Sequence, residues 1–201
     1  MKIYLASGNE HKKDEFVQIL SGIDIVLPKQ ENIEFNPEET GTSFFENAML
    51  KARFLYKTVK QPVIADDSGL CIDYLNGMPG IYSARYGDEN GCVLSFDQKI
   101  NKVLTELKNV QNRKAYFVCC IVLLLNEHRF YAVQEICEGY ISKKAAGTNG
   151  FGYDPIFYVK EFGKTFAELS EDEKNKISHR GKALFSLKKI ISGINNFTTN
   201  Q

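Results

Sequence analysis

The chain has no net charge to spend on a partner: lysine plus arginine number 25, and aspartate plus glutamate also number 25. Without a basic excess it has no general means of displacing counterions from a polyanion. That excludes a general nucleic-acid binder and leaves room for a small anionic ligand held by a few local cations. Paired cysteines are missing as well. The five cysteines, Cys71, Cys92, Cys119, Cys120 and Cys137, are odd in number and show no C-x-x-C spacing, so neither a disulfide framework nor a zinc site is expected. Cys119 and Cys120 lie within an apolar run and read as reduced core residues. No run approaches membrane-spanning length, and the apolar start Met1–Ala6 is too short for a signal peptide, so no membrane partner and a cytoplasmic location are expected. The phosphate-binding pattern G-x-x-x-x-G-K-[ST] occurs nowhere. Internal repeats and linkers are equally absent, which leaves residues 1–201 as one domain, with room for two lobes.

What is present is enough apolar residue, 43% of 201 positions, to bury a sizeable core. Ile3–Ala6 reads as a strand and Ser7-Gly8-Asn9 as a turn, followed by a helix with Phe16, Ile19 and Leu20 on one face. Asp24–Pro28 reads as a second strand, and 29–41 as a polar loop exposing Glu38 and Glu39. Ser43 and Glu46 fit a capping box that opens a helix with the stripe Phe45, Ala48, Met49, Ala52, Leu55 and Tyr56. Gln61–Ala65 reads as a buried strand that ends at Asp66-Asp67-Ser68, with Gly69 turning the backbone. The stretch 76–90 is rich in glycine and turn residues. Phe96, Ile100, Val103, Leu104 and Leu107 mark a third helix. Tyr116–Leu125 and Phe130–Ile136 form an antiparallel hairpin, and 147–152 a glycine-rich loop. Thr165/Glu168 and Ser170/Glu173 signal further helix starts, and Ala183, Leu184, Leu187, Ile190 and Ile191 line a last helix. The sum is an α/β fold with a mixed central sheet.

Four clusters carry chemistry. Asp66-Asp67 is a pair of repelling carboxylates, explained by a bound cation or, more simply, by an Asp-rich turn. Lys12 and Lys13 occupy the first turn of a helix, where the dipole disfavours cations; an anion held by Ser7, Asn9 and lysine accounts for them, as does plain solvation. Glu38-Glu39 together with Asp66-Asp67 would supply the hard oxygen donors that Mg²⁺ prefers, although two glutamates in a loop are also an ordinary solvated surface. In Gly147–Pro155 an aromatic flanked by glycines suits stacking on a flat base, or an anchored hairpin. Lys174 and Ser178-His179-Arg180-Gly181 add donors near the last helix, or merely exposed charge.

Taken in order, Ser7-Gly8-Asn9 with Lys12, Phe45-Glu46-Asn47-Ala48 with Lys51-Ala52, Ala65–Leu70, Pro79–Tyr86, Gly150–Phe157 and Ile177–Gly181 resemble the Ham1/inosine triphosphate pyrophosphatase family from Ile3 to about Leu187. Asn149 departs from the glycine that bacterial members often carry there. The resemblance implies an elongated two-lobed α/β fold with a deep nucleotide cleft, usually a homodimer. It also implies Mg²⁺-dependent hydrolysis of non-standard purine nucleoside triphosphates (ITP, dITP, XTP) to the monophosphate and pyrophosphate. Carried over, Ser7, Gly8, Asn9, Glu10, His11 and Lys12 hold the triphosphate; Asp67 is general base and metal ligand, with Ser68 beside it on the substrate; Glu38 is the second metal position, with Glu39 left open. Phe151, Gly152, Tyr153, Asp154, Lys174, His179 and Arg180 match the base-binding set. Two competing readings are a Maf-like pyrophosphatase for modified pyrimidine nucleotides and a non-catalytic nucleotide sensor.

Overall fold

A computed structural model describes residues 2–89 and 91–198, with side chains to 194. Asn90, at the end of the turn-rich stretch, lies outside the described residues. The strands are β1 (Lys2–Leu5), β2 (Asp24–Val26), β3 (Val63–Ile72), β4 (Lys114–Asn126), β5 (Arg129–Ile141), β6 (Phe157–Val159) and β7 (Lys164–Thr165). They form one sheet in the order β2-β1-β3-β4-β5-β6-β7. β1 pairs in parallel with β2 and β3, while β6 is antiparallel to β5 and β7, so the sheet is mixed as expected. The helices are α1 (Glu10–Ile19), α2 (Phe44–Val59), α3 (Phe96–Glu106), α4 (Glu171–Ile177) and α5 (His179–Thr198). Contacts group the chain into two compact units, one of Met1–Asp67, Cys119–Glu135 and His179–Gln201, the other of Ser68–Val118 and Ile136–Ser178.

The first unit has a core on each face of its sheet. Side chains alternate along a strand, so Ile3, Leu5, Ile64, Cys119, Ile121 and Leu123 pack against α1 and α5 through Phe16, Ile19, Leu184 and Leu187. Tyr4, Ala6, Val63, Ala65, Val122 and Leu124 face the other way, onto Ala48, Met49, Ala52 and Leu55 of α2. The second unit has one core, in which Ile100, Val103 and Leu107 of α3 join Leu70, Ile72, Phe117, Phe157 and Phe166. Within it the Phe117 and Phe166 rings stack 3° from parallel at 5.9 Å.

Four expectations change. The strand begun at Val63 does not stop at the aspartates but continues through Gly69 to Ile72, because both carboxylates find cations in place and the backbone ladder need not break. β2 ends at Val26, since Pro28 has no N–H for a sheet and opens a 3-10 turn over Pro28–Glu31 instead. Ser43 does cap α2, accepting from Glu46 N at 3.2 Å; the Glu46 carboxylate in turn accepts from Thr42 N, one residue further out, at 2.6 Å. Phe45 and Phe96, the first residues of their apolar stripes, are half exposed, 38% and 42%, and lean on the Phe130 and Tyr153 rings at 6.2 and 5.8 Å.

Candidate active site

In the first unit the geometry starts with the alternation of β3. Asp66 shares a face with Ile64 and meets α1 and α5; Asp67 shares a face with Val63 and Ala65 and meets α2. The adjacent carboxylates therefore do not share one cation. Each has its own.

On the α1 and α5 face, Asp66 pairs with the Lys12 ammonium and accepts from Arg180 Nε at 3.1 Å, and the Cys119 thiol donates to it at 3.0 Å. Arg180 in turn donates from Nη1 to Glu15 at 2.7 Å. Burial alone would push the Asp66 carboxyl up, but Arg180 and Lys12 together hold it well below the usual carboxylate range. Burial likewise opposes the charge of Arg180, and Asp66 and Glu15 more than restore it. Ahead of this cluster, Asn9 caps α1 by accepting from Lys12 N at 3.4 Å, and Ser7 Oγ accepts from Asn9 N at 3.0 Å. The turn thus presents the N-terminal end of α1, where N–H groups point along the axis toward an anion. Gly8, Glu10 and His11 are exposed there, Ser7, Asn9 and Lys12 half-buried, and Glu10 also pairs with Lys29.

On the α2 face, Lys51 Nζ lies 2.6 Å from Asp67 Oδ1 and 3.0 Å from Glu39 Oε1, and Asn47 Nδ2 donates to Asp67 Oδ2 at 3.4 Å. Burial raises the Asp67 carboxyl above its ordinary value; Lys51 opposes this without overcoming it. Of the two loop glutamates it is Glu39 that meets Lys51, while Glu38 is exposed. Among the described residues no three His, Cys, Asp or Glu side chains gather around one point. Asp67 and Glu39 are two hard oxygen donors held on the same Lys51 ammonium, the residue types that Mg²⁺ takes one or two of beside phosphate and water.

The second unit holds a separate cluster. Lys174 Nζ donates to Asp154 Oδ2 at 2.8 Å, and Phe151 N donates to the same oxygen at 2.9 Å. The Lys174 ammonium also stands 5.0 Å from the centre of the Phe151 ring. Gly150 makes this possible: at φ +73° a Cβ would come 2.1 Å from Asp154 Oδ2. Phe151 and Gly152 are half-buried, but Tyr153 is a core residue whose hydroxyl donates to Ser83 O at 3.0 Å. His179 and Arg180 open α5 in the first unit, and Arg180 belongs to the Asp66 cluster there. Ser68 follows Asp67 in β3, half-buried.

Sequence reasoning passed over Lys51, Asn47 and Glu15 as functional candidates. For two of them a signal existed: Asn47 and Lys51 are a polar i,i+4 pair beside the apolar stripe of α2, and both are buried, at 0% and 7% exposure. Buried polar side chains at helical spacing need partners, and Asp67 is theirs.

The Ham1 family profile matches residues 3–190. The chain belongs to the Ham1 family. A curated relative from Treponema denticola, a dITP/XTP pyrophosphatase, is 63% identical over 193 residues, spanning 96% of this chain and 100% of the relative. A dITP/XTP pyrophosphatase from Clostridium perfringens is 45% identical, spanning 96% and 98%. Among solved structures, a HAM1 protein from Coxiella burnetii superposes with a TM-score of 0.87 at 40% identity, covering 96% of this chain and 99% of that one. The Staphylococcus aureus Ham1 protein gives a TM-score of 0.85 at 41% identity, covering 96% and 99%. Like these Ham1 proteins, the chain is a mixed α/β fold, and no helix among its described residues is long and apolar enough to cross a membrane.

Proposed function

We propose that this chain hydrolyses dITP, ITP and XTP to the nucleoside monophosphate and pyrophosphate, with Mg²⁺ as cofactor. The observation that carries the reading is the division of labour on β3: one aspartate neutralised by Lys12 and Arg180, the next raised in pKa and set beside Lys51 and Glu39. Two relatives that cover nearly the whole chain are curated as dITP/XTP pyrophosphatases. Lys12, Ser7, Asn9 and the start of α1 are assigned to the triphosphate, with the exposed Gly8, Glu10 and His11 around it. Asp67 accepts the proton of the attacking water; the water oxygen bonds to the α-phosphorus, the bond to the bridging oxygen breaks, and pyrophosphate leaves. Asp67 and a loop glutamate, Glu39 by its contact with Lys51 or Glu38 by family position, are assigned to Mg²⁺. When bound, that ion would neutralise charge on the phosphate oxygens.

For the purine we assign the Phe151 ring as a stacking surface, with Gly152, and Lys174 as a donor to the 6-oxo group. An adenine presents an amino group there instead, and a buried donor facing a donor disfavours it. His179 is assigned to the same edge. Tyr153 supports the loop from within the core, and Arg180, with two of its nitrogens on carboxylates, serves the Asp66 cluster at least as directly as the base. We also propose that the protein is a cytoplasmic homodimer acting on a free nucleotide rather than a nucleic acid; its balanced charge, 25 basic against 25 acidic residues, supports the last of these.

The test is pyrophosphate release across nucleoside triphosphates with and without Mg²⁺. Asp67→Asn should keep the fold, by circular dichroism, and lose about 10²–10⁴-fold in kcat for ITP. Near-normal turnover by that variant would remove Asp67 from the central role, and binding of ITP with no pyrophosphate from the unaltered chain would favour a sensor.

A further inference from the structure

We propose that Asn149 is a positioning residue for purine selection: its side-chain amide pins the glycine-rich loop to the segment that launches α4, and so fixes the Phe151 ring relative to the Lys174 ammonium. The inference deepens the functional reading above and rests on it. The loop is already tethered by its backbone, since Thr148 N and Asn149 N both donate to Ala167 O at 3.0 Å. Gly147 permits that approach: at φ +81° a Cβ there would lie 2.2 Å from the Ala167 carbonyl. The Asn149 side chain adds a second point two residues on, with Nδ2 donating to Leu169 O at 2.9 Å. A carbonyl accepts only from a donor, so it is the amide nitrogen that faces Leu169.

What lies beyond each end of this bond gives it a purpose. On one side, two residues after Asn149, comes Phe151, whose N–H holds Asp154 Oδ2 at 2.9 Å. On the other, Ser170 caps α4, and Lys174 reaches back to the same Asp154 oxygen at 2.8 Å and over the Phe151 ring at 5.0 Å. A base stacked on Phe151 meets the Lys174 donor at an angle set by how the loop seats against 167–169. Asn149 is the side chain that spans those two segments, and its own backbone shows no positive φ that would call for a special residue.

The experiment compares the unaltered chain with Asn149→Gly, which deletes the pin, and Asn149→Asp, which keeps its size but turns an oxygen toward Leu169 O. Each should raise KM for ITP roughly three- to tenfold, the worth of one hydrogen bond. The expected result is also a kcat close to normal, a narrower ITP-to-ATP ratio of kcat/KM, and unchanged inhibition by inorganic tripolyphosphate. Amides 148–151 should exchange hydrogen faster in both variants, with those of α3 unmoved. Unaltered KM and exchange in both variants would overturn the proposal, as would equal losses for ITP and tripolyphosphate. If the unaltered chain fails to turn over ITP, the functional reading falls on its own, and unchanged amide exchange still refutes the pin.

Discussion

Lys51 is the residue on which the chemistry of Asp67 is balanced. Its ammonium is 2.6 Å from Asp67 and 3.0 Å from Glu39, and both carboxylates together raise its own pKa despite burial. Burial lifts Asp67 above 3.8, and Lys51 pulls it part of the way back. A general base works ionised, so with Asp67 in the role proposed for it the acidic limb of the pH–rate profile should lie above that ordinary value. Lys51→Met removes the charge that favours the ionised carboxylate. The limb should then move to higher pH at fixed Mg²⁺, with turnover at neutral pH falling while the high-pH plateau recovers part of it. A profile that shifts to lower pH, or a uniform loss at every pH, would mean that Asp67 is not the titrating base. Asp66 differs because Lys12 and Arg180 outweigh its burial. The contrast explains why only one carboxylate of the pair is suited to take a proton.

At the scale of elements, the glycine-rich loop makes the sharpest demand on sequence. Gly147→Ala adds a methyl group 2.2 Å from the Ala167 backbone at a positive φ, so the loop must lift or 167–168 must give. A loss of stability of more than about 1 kcal/mol is expected in denaturant unfolding, with KM for ITP rising and tripolyphosphate inhibition little changed. The elements themselves were largely readable. The periodic stripe of α2 put Ala48, Met49, Ala52 and Leu55 in the core, and the hairpin strands β4 and β5 stand where alternation and the Asn126–Arg129 turn placed them, only longer. A helical period fixes the direction around the axis but not how far the covering surface extends along it, which is why Phe45 and Phe96 are half exposed at the start of their helices. β3 was misread at its end because two aspartates look like a stop until Lys12, Arg180 and Lys51 are brought to them from 54, 114 and 16 residues away. Those distant pairings are not local signals, and the same blindness hid Glu15.

At the scale of the whole molecule, residues of opposite charge balance, and the expected assembly is a pair. Sedimentation of the full chain should return about twice its 22.8 kDa mass, and a single-chain mass at micromolar concentration would refute the homodimer. The two-sided packing of the first unit has a further implication, about length rather than identity. Odd-numbered Ile3 and Leu5 in β1 and odd-numbered Cys119, Ile121 and Leu123 in β4 share a face with even-numbered Ile64 and Asp66 in β3. The ion-pair cluster of Asp66 and the core are thus written in the same parity. Removing a single residue between Val63 and Asp66 would offer the strand's apolar side chains to the wrong layers and, in the same stroke, hand Asp67 to Lys12 and Arg180. A lineage can trade Ile for Val at these positions many times over, but it can change the count there only in twos.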